Sequence, residues 1–229
     1  MPLILALETS SPVCSVALLH DGALLAASEL RLDKSHSSHL TVLIEQMLSN
    51  TGFTLAQLSA VAVADGPGSY TGLRIGAAAA KGLCYALGLP LLAVGTLPAL
   101  AHQVARQIPG AAGYRFAPLL DARRMEVYAA LYRADGTELL APAPLILSPE
   151  SFAAELAEGP VVFFGSGAAK FEPLVAGQPH ALFVADVQPA AIAVARLAEA
   201  AYARQEFRDV AYYEPFYLKE VYTTTPKQG

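Results

Sequence analysis

Apolar runs separated by turn residues open the chain, and they predict three strands. The runs cover Leu3–Glu8, Cys14–His20 and residues 23–31. Asp21 and Gly22 lie between the second and third runs, and an Asp-Gly pair in this position is typical of a β-hairpin. The chain is therefore expected to begin with an antiparallel meander.

Helical spacing replaces the strand pattern after the third run. Leu40 and Leu43 belong to an apolar set that recurs every three or four residues, which predicts a helix over residues 36–50. A buried strand then leads into the glycine loop 66–72, and an alanine-rich helix is predicted over residues 71–87. Strands that alternate with helices indicate parallel crossover connections within one sheet.

The second half of the chain repeats this order of elements without repeating the residues. A meander followed by crossovers predicts a mixed sheet with helices on its faces, and hence an α/β protein. Two such halves resemble the duplicated, two-lobed ribonuclease H-like fold of the actin, sugar kinase and heat-shock ATPase superfamily. We expect an N-terminal lobe at residues 1–108 and a C-terminal lobe at residues 109–229. The aromatic tail, residues 206–229, is expected to dock back on the N-terminal lobe.

Charged side chains are scarce, and this changes the expected surface. Asp, Glu, Lys and Arg make up 15% of the chain and hydrophobic residues 54%, whereas an ordinary globular domain is about 25% charged. The 15 basic and 20 acidic residues give a net charge of −5, which argues against nucleic-acid binding by the chain alone. An under-charged surface favours a protein partner that covers it.

The cysteines and the apolar stretches bear on location. Cys14 and Cys84 form neither a disulfide framework nor a zinc-type spacing, which is typical of a reducing compartment. Residues 82–105 contain no Asp, Glu, Lys or Arg, but Gly88 and Pro90 divide them into segments too short to cross a bilayer. We expect a soluble cytoplasmic protein with no membrane segment.

A glycine loop between a buried strand and a helix is the most distinctive local feature. Its backbone N–H groups and the positive end of the helix dipole would suit a phosphate or carboxylate. The candidate contacts for an anion or nucleotide are Gly66, Gly68, Ser69 and Arg74. The glycine spacing matches neither the P-loop nor the dinucleotide fingerprint. The alternative is a tight turn in which glycine lets the strand and the helix pack closely.

Two pairs of residues are further candidates for binding. Arg123 and Arg124 follow Asp121 in a predicted hairpin turn, where they either contact an anion or lie in solvent. His36 and His39 could share one face of a helix, but no third ligand is near them in sequence. The sequence therefore predicts no metal site.

Six segments together resemble the bacterial TsaB family, also called YeaZ. They read LALETSSPVCSVAL, HSSHL, ADGPGSYTGLRIGAAAAKGL, LLDARRMEVYAAL, FFGSGAAKF and EPFYLK. The likeness extends from Leu5 to Lys219, and GPGSYTGLRIG is its most specific part. After HSSHL the chain has Thr41 and Val42 where the family usually has Leu-Pro.

The resemblance implies a non-catalytic subunit of the machinery that makes N6-threonylcarbamoyladenosine in tRNA, next to the anticodon. The expected partner is the paralogous transferase TsaD, and TsaE joins through the TsaB–TsaD complex. Contact with tRNA is expected only within that complex. No cofactor is expected in this subunit, because ATP and metal belong to the partner subunits. Without TsaD, the chain is expected to form a homodimer.

The resemblance also places partner binding on the two helices predicted at residues 36–50 and 71–87. Gly76 and Ala80 lie four residues apart on one face, so another helix backbone could approach there closely. The residues expected to contact TsaD are His36, Leu40, Leu43, Met47, Leu73, Gly76, Ala80 and Leu83.

Two enzymatic functions are alternatives to the scaffold. An older label of the family is glycoprotein peptidase, acting on TsaD or on glycoproteins, but the sequence contains neither a zinc signature nor a Gly-x-Ser-x-Gly motif. A small-molecule kinase of the same superfold would need a glycine in the phosphate loop that follows the first strand. Here Glu8 takes the place of the usual Asp and Ser10 that of the glycine, so we expect neither tight ATP binding nor hydrolysis.

Overall fold

The computed structural model describes residues 2–32 and 36–219, in which the strands form two five-stranded sheets. The strands are β1 (Leu3–Glu8), β2 (Cys14–His20), β3 (Ala23–Leu30), β4 (Ala60–Gly66), β5 (Leu91–Gly95), β6 (Arg115–Asp121), β7 (Glu126–Arg133), β8 (Glu138–Ile146), β9 (Val161–Phe164) and β10 (Ala181–Val184). The helices are α1 (His36–Thr51), α2 (Tyr70–Leu87), α3 (Thr96–Ala105), α4 (Ala153–Glu158), α5 (Ala168–Phe171) and α6 (Ala191–Ala203).

The two sheets have the same topology. The first has the strand order β3-β2-β1-β4-β5 and the second the order β8-β7-β6-β9-β10. In each sheet the three strands of the meander are antiparallel, and the two crossover strands are parallel to the first strand of the meander. In the first sheet, Leu5 lies between Leu18 of β2 and Val61 of β4. The prediction of two lobes, each with a mixed sheet, is confirmed.

Helices cover both faces of the first sheet, which explains why β1 is apolar at successive positions rather than at alternate ones. Leu5 and Leu7 point to the face covered by α1 and α2, where Met47 joins the same cluster. Ile4 points to the opposite face and packs with Val194 of α6. Burial on both sides makes β1 the centre of this lobe.

Helices α3 and α6 pack across the predicted boundary between the lobes. Leu97 and Leu100 of α3 belong to a cluster with Phe116 and Phe164 of the second sheet. Helix α6 comes from the second half of the chain, but it covers the first sheet. The division at residues 108 and 109 stays a prediction about domains, and these two helices interlock the halves.

Local signals set both ends of α2. The Ser69 hydroxyl caps its start by accepting a hydrogen bond from the N–H of Gly72 at 3.3 Å. Gly88 ends it in the left-handed conformation, with φ of 65°. Among the described residues, no helix is long and apolar enough to cross a membrane.

The described part of the C-terminal tail runs along the first lobe. The backbone N–H of Arg208 donates to the carbonyl of Leu91 in β5 at 2.8 Å. Further along, the Lys81 ammonium of α2 donates to the carbonyl of Tyr213 at 3.0 Å. These contacts are made within residues 206–219 of the predicted tail, and residues 220–229 lie outside the described residues.

Candidate partner-binding surface

The glycines on the inner face of α2 fit the helix against the end of β1. A Cβ at Gly72 would lie 2.0 Å from the carbonyl oxygen of Thr9, and one at Gly76 would lie 2.3 Å from the Thr9 hydroxyl oxygen. That hydroxyl donates to the carbonyl of Gly72 at 2.8 Å. Ala80, one turn after Gly76, is completely buried. This face of α2 is occupied by the chain's own sheet.

Most of the predicted partner contacts are therefore wrong as surface residues. The His36 ring is buried, and its Nε2 lies 2.9 Å from the carbonyl oxygen of Ser11. Gly76 and Ala80 cannot admit a partner helix because Thr9 and the first sheet fill that space. The residues of the predicted set that are buried within the chain are His36, Leu40, Leu43, Met47, Leu73, Gly76 and Ala80.

An open apolar groove lies on the outer side of the same two helices, and Leu83 of the predicted set lines it. The groove has a volume of about 660 Å³. Glu45 is the charged residue in its lining. The other lining residues are Thr41, Ile44, Leu48 and Ser49 of α1, Phe53, Thr54 and Leu55 after it, and Ala78, Ala79, Gly82 and Leu83 of α2. We call this feature the α1–α2 groove.

Small residues on the outer face of α2 make the groove deep. Ala78 and Gly82 are exposed and lie four residues apart. A Cβ at Gly82 would have no atom within 4 Å, so the backbone itself is accessible there. Gly76 and Ala80, the pair predicted from the sequence, have the same spacing but lie on the inner face. The sequence contains both pairs of small residues, but the four-residue spacing does not say which pair lies on the buried face.

The glycine loop packs closely against the backbone of Ser10, which supports the tight-turn alternative. A Cβ at Gly68 would lie 2.4 Å from the carbonyl oxygen of Ser10. The N–H of Ser69 donates to that same carbonyl at 2.6 Å, and the N–H of Gly72 donates to the Ser69 hydroxyl. These donors are already used. Arg74 lies beside Tyr70, with its guanidinium 5.4 Å from the ring centroid.

The tail also covers the beginning of the loop. A Cβ at Gly66 would lie 2.7 Å from the carbonyl oxygen of Phe216. Asp65, the preceding residue, accepts a hydrogen bond from the Tyr213 hydroxyl at 3.0 Å. Burial raises the pKa of the Asp65 carboxyl, while the hydrogen bond from Tyr213 acts in the opposite direction. The expected anion contacts at Gly66, Gly68 and Ser69 therefore face protein atoms.

Glu8 is buried beneath this junction. Its Oε1 accepts a hydrogen bond from the N–H of Ser10 at 2.6 Å, whereas its Oε2 has no partner within residues 2–32 and 36–219. Burial raises the pKa of Glu8 to about 7, against the hydrogen bond from the N–H of Ser10 that favours its ionised form. The Ser10 hydroxyl is also buried and finds no hydrogen-bond partner among the residues that the structure describes. The carboxyl at the end of β1 thus lies inside the protein rather than in an open phosphate loop.

The second candidate anion contact is an exposed turn between β6 and β7. Arg123 and Arg124 both have positive φ values, 74° and 52°, and both are exposed. The N–H of Arg123 donates to Asp121 at 2.6 Å, and Lys170 forms an ion pair with the same carboxylate at 2.5 Å. These bonds hold Asp121 and lower its pKa although burial acts to raise it. Nothing in the turn aims Arg124 at an enclosed site.

Metal ligands are not gathered into a cluster in the described parts of the chain. Within residues 2–32 and 36–219, no group of three or more His, Cys, Asp and Glu side chains could hold a metal ion. His36 is directed at the Ser11 carbonyl rather than at a second ligand.

Comparison with known proteins decides the family. The model of TsaD, described as tRNA N6-adenosine threonylcarbamoyltransferase, matches residues 30–225. The crystal structure of a protein from Pseudomonas aeruginosa, described as similar to peptidase YeaZ, is 34% identical and covers 96% of this chain and 100% of its own, with a TM-score of 0.83. This chain belongs to the TsaB/YeaZ branch of the TsaD family. The word peptidase describes that relative alone.

Curated relatives carry the TsaB name. The tRNA threonylcarbamoyladenosine biosynthesis protein TsaB of Haemophilus influenzae is 40% identical over 125 residues, which are 55% of this chain and 51% of the relative. This TsaB-family chain thus spans about half the length of that curated relative. The predicted resemblance to TsaB is confirmed.

A more distant structure shows the fold alone. Component A of (R)-2-hydroxyglutaryl-CoA dehydratase from Acidaminococcus fermentans covers 90% of this chain with a TM-score of 0.54 at 9% identity. Together with the repeated strand order, this likeness confirms the predicted two-lobed α/β fold with a mixed sheet in each lobe.

Proposed function

We propose that this chain is a non-catalytic, cytoplasmic subunit that binds and organises TsaD during the synthesis of N6-threonylcarbamoyladenosine in tRNA. The observation that carries the proposal is the α1–α2 groove, an exposed apolar surface between two helices. Family membership and the name of the curated relatives support the pathway.

The groove has the properties of a surface that receives helices. Amphipathic helices bind by laying an apolar face into a hydrophobic groove. Ala78, Ala79 and Gly82 carry a methyl group or no side chain, so the side chains of a partner helix can reach the backbone of α2. Tyr85 of α2, three residues after Gly82, is 86% exposed, and aromatic residues are common anchors in protein interfaces.

The wider assembly follows from the same proposal. TsaE joins through the TsaB–TsaD complex, tRNA is contacted only within it, and ATP and metal are held by the partner subunits. The net charge of −5 supports the point about tRNA, because an acidic chain is poorly suited to bind a polyanion by itself. This subunit performs no chemical step of its own.

A second copy of the chain competes for the same groove. Without TsaD the apolar lining would face water, and a two-fold pair of copies would cover it. We therefore expect a homodimer in isolation, which TsaD replaces as its concentration rises.

A charged substitution in the groove tests the proposal. In Gly82→Arg a long cationic side chain fills the groove without a clash inside the chain, because the space around Gly82 is open. Gly113→Arg is the matched control, since a Cβ at Gly113 also meets no atom within 4 Å and this glycine lies outside the groove. Calorimetry measures affinity for TsaD, and sedimentation measures the homodimer.

We expect Gly82→Arg to weaken TsaD binding at least tenfold and to dissociate the homodimer, while Gly113→Arg leaves both unchanged. Equal affinity of the folded Gly82→Arg protein and the wild type would show that TsaD binds elsewhere.

A further inference from the structure

The last described residues of the chain form a segment held at both of its ends. Asp209 begins it with a turn, in which its carbonyl accepts a hydrogen bond from the N–H of Tyr213 at 2.9 Å. Lys219 ends it with an ion pair to the carboxylate of Glu126 in β7. We call residues 209–219 the strap.

The strap lies at the carboxyl end of β4. Its Tyr213 hydroxyl donates to the Asp65 carboxylate at 3.0 Å, and the N–H of its Phe216 donates to the carbonyl of Asp65 at 2.8 Å. The Phe216 carbonyl lies so close to Gly66 that a side chain at Gly66 would collide with it. The strap therefore contacts both the side chain and the backbone at the end of the strand.

This position is the one in which open α/β sheets bind ligands, the crevice beyond the carboxyl ends of parallel strands. Here β4 lies between the parallel strands β1 and β5, and the start of α2 faces the same crevice. The ring of Tyr217 in the strap packs against that of Tyr70, the first residue of α2, with ring centroids 5.1 Å apart and the planes inclined at 47°. The chain's own tail fills the space that a ligand would take.

The strap also joins the two lobes. Lys81 of α2 donates to the carbonyls of Ala211 and Tyr213, which fixes the strap to the first lobe. The ion pair from Lys219 to Glu126 fixes it to the second lobe. Glu126 is itself placed at the exposed β6–β7 turn, where its N–H donates to the carbonyl of Arg123 at 3.1 Å.

We propose that residues 209–219 form an intramolecular strap that closes the crevice at the carboxyl end of β4 and, together with the packing of α3 and α6, holds the two lobes in one relative position. A ligand is then not needed to hold the lobes together. An anion could reach the start of α2 only after the strap detaches from Asp65 and Gly66.

Two substitutions separate the two attachments. Tyr213→Phe keeps the buried ring and removes the hydrogen bond to Asp65, and Lys219→Gln keeps a polar side chain, shorter by one bond, and removes the ion pair to Glu126. Tyr212→Phe is the matched control, since Tyr212 belongs to the same segment but is 85% exposed.

Hydrogen exchange and a distance between spin labels are the measurements. Labels at Ala56→Cys and Gln178→Cys report on the lobes, because both positions are exposed and lie in different lobes. We expect Tyr213→Phe to speed amide exchange at residues 65–72 at least tenfold. Lys219→Gln should broaden the distribution of distances between the labels, and Tyr212→Phe should change neither.

The double variant, Tyr213→Phe with Lys219→Gln, should show both effects. Unchanged exchange at residues 65–72 together with an unchanged distance distribution would overturn the proposal, and the single variants decide the question if the double variant does not fold. Affinity for TsaD does not enter either measurement, so failure of the strap and failure of the α1–α2 groove are distinguishable.

Discussion

Both faces of α2 carry small residues, but the inner face packs against the chain itself and the outer face is open to a partner. On the inner face, Gly72 and Gly76 bring the helix into contact with the backbone and side chain of Thr9. On the outer face, Ala78 and Gly82 lie open in the α1–α2 groove. A small residue therefore marks a close approach, but the tertiary structure determines whether the approaching group belongs to the same chain or to a partner.

The largest expected effect is a loss of stability from the inner face. In Gly72→Ala the new Cβ would collide with the Thr9 carbonyl, a backbone atom that cannot turn away, so we expect a loss of about 3 kcal/mol. That corresponds to a fall in Tm of about 6–12 °C. The matched change on the outer face, Gly82→Ala, should instead stabilise the helix by about 1 kcal/mol. Thermal unfolding of both variants tests the comparison, and equal Tm values would contradict it.

The next effect concerns the buried carboxyl behind the inner face. Burial raises the pKa of Glu8 from 4.5 to about 7, so the folded state binds a proton that the unfolded state releases near pH 4.5. The stability that this proton contributes is complete below pH 4.5 and is lost as the pH rises through 7. The wild type should therefore lose up to about 3 kcal/mol relative to Glu8→Gln between pH 4.5 and pH 8.

Denaturant unfolding of the wild type and Glu8→Gln at several pH values checks this sign. A difference in unfolding free energy that stays constant from pH 4.5 to pH 8 would show that Glu8 is ionised in the folded protein.

On the outer face the expected effect is on binding rather than on folding. Ala78→Arg places a cation in the α1–α2 groove, and overpacking of about 1–3 kcal/mol corresponds to a loss of about 5- to 150-fold in affinity for TsaD. Ala86→Arg is the control, because Ala86 is exposed on α2 and does not line the groove. A titration in which both variants lose the same affinity would mean that the loss comes from charge rather than from the groove.

The smallest expected effect comes from the start of the helix. Ser69→Ala removes the oxygen that accepts the N–H of Gly72, which should cost about 1 kcal/mol. Thr71→Ala removes an exposed hydroxyl two residues later and should change stability by less than about 0.5 kcal/mol. Chemical unfolding compares the pair, and a larger loss in Thr71→Ala would assign the cap to the wrong residue.

The strand pattern was the most predictable part of the fold. The predicted limits of β1 and β2 agree with the structure, because apolar runs bounded by turn residues are local signals. The candidate site was less predictable. The two helices were identified, and Leu83 lines the groove, but the other predicted contacts are buried.

The sequence by itself determined the order of elements, the repeated lobes and the family, since these follow from periodicity, turn residues and short motifs. Only the tertiary structure decided which face of α2 is inner, where α3 and α6 pack, and what fills the crevice at β4. The reason is physical: Gly76 is buried by Thr9, and Asp65 is covered by Tyr213, residues far apart in the chain. A local pattern carries no information about which distant segment will come to lie against it.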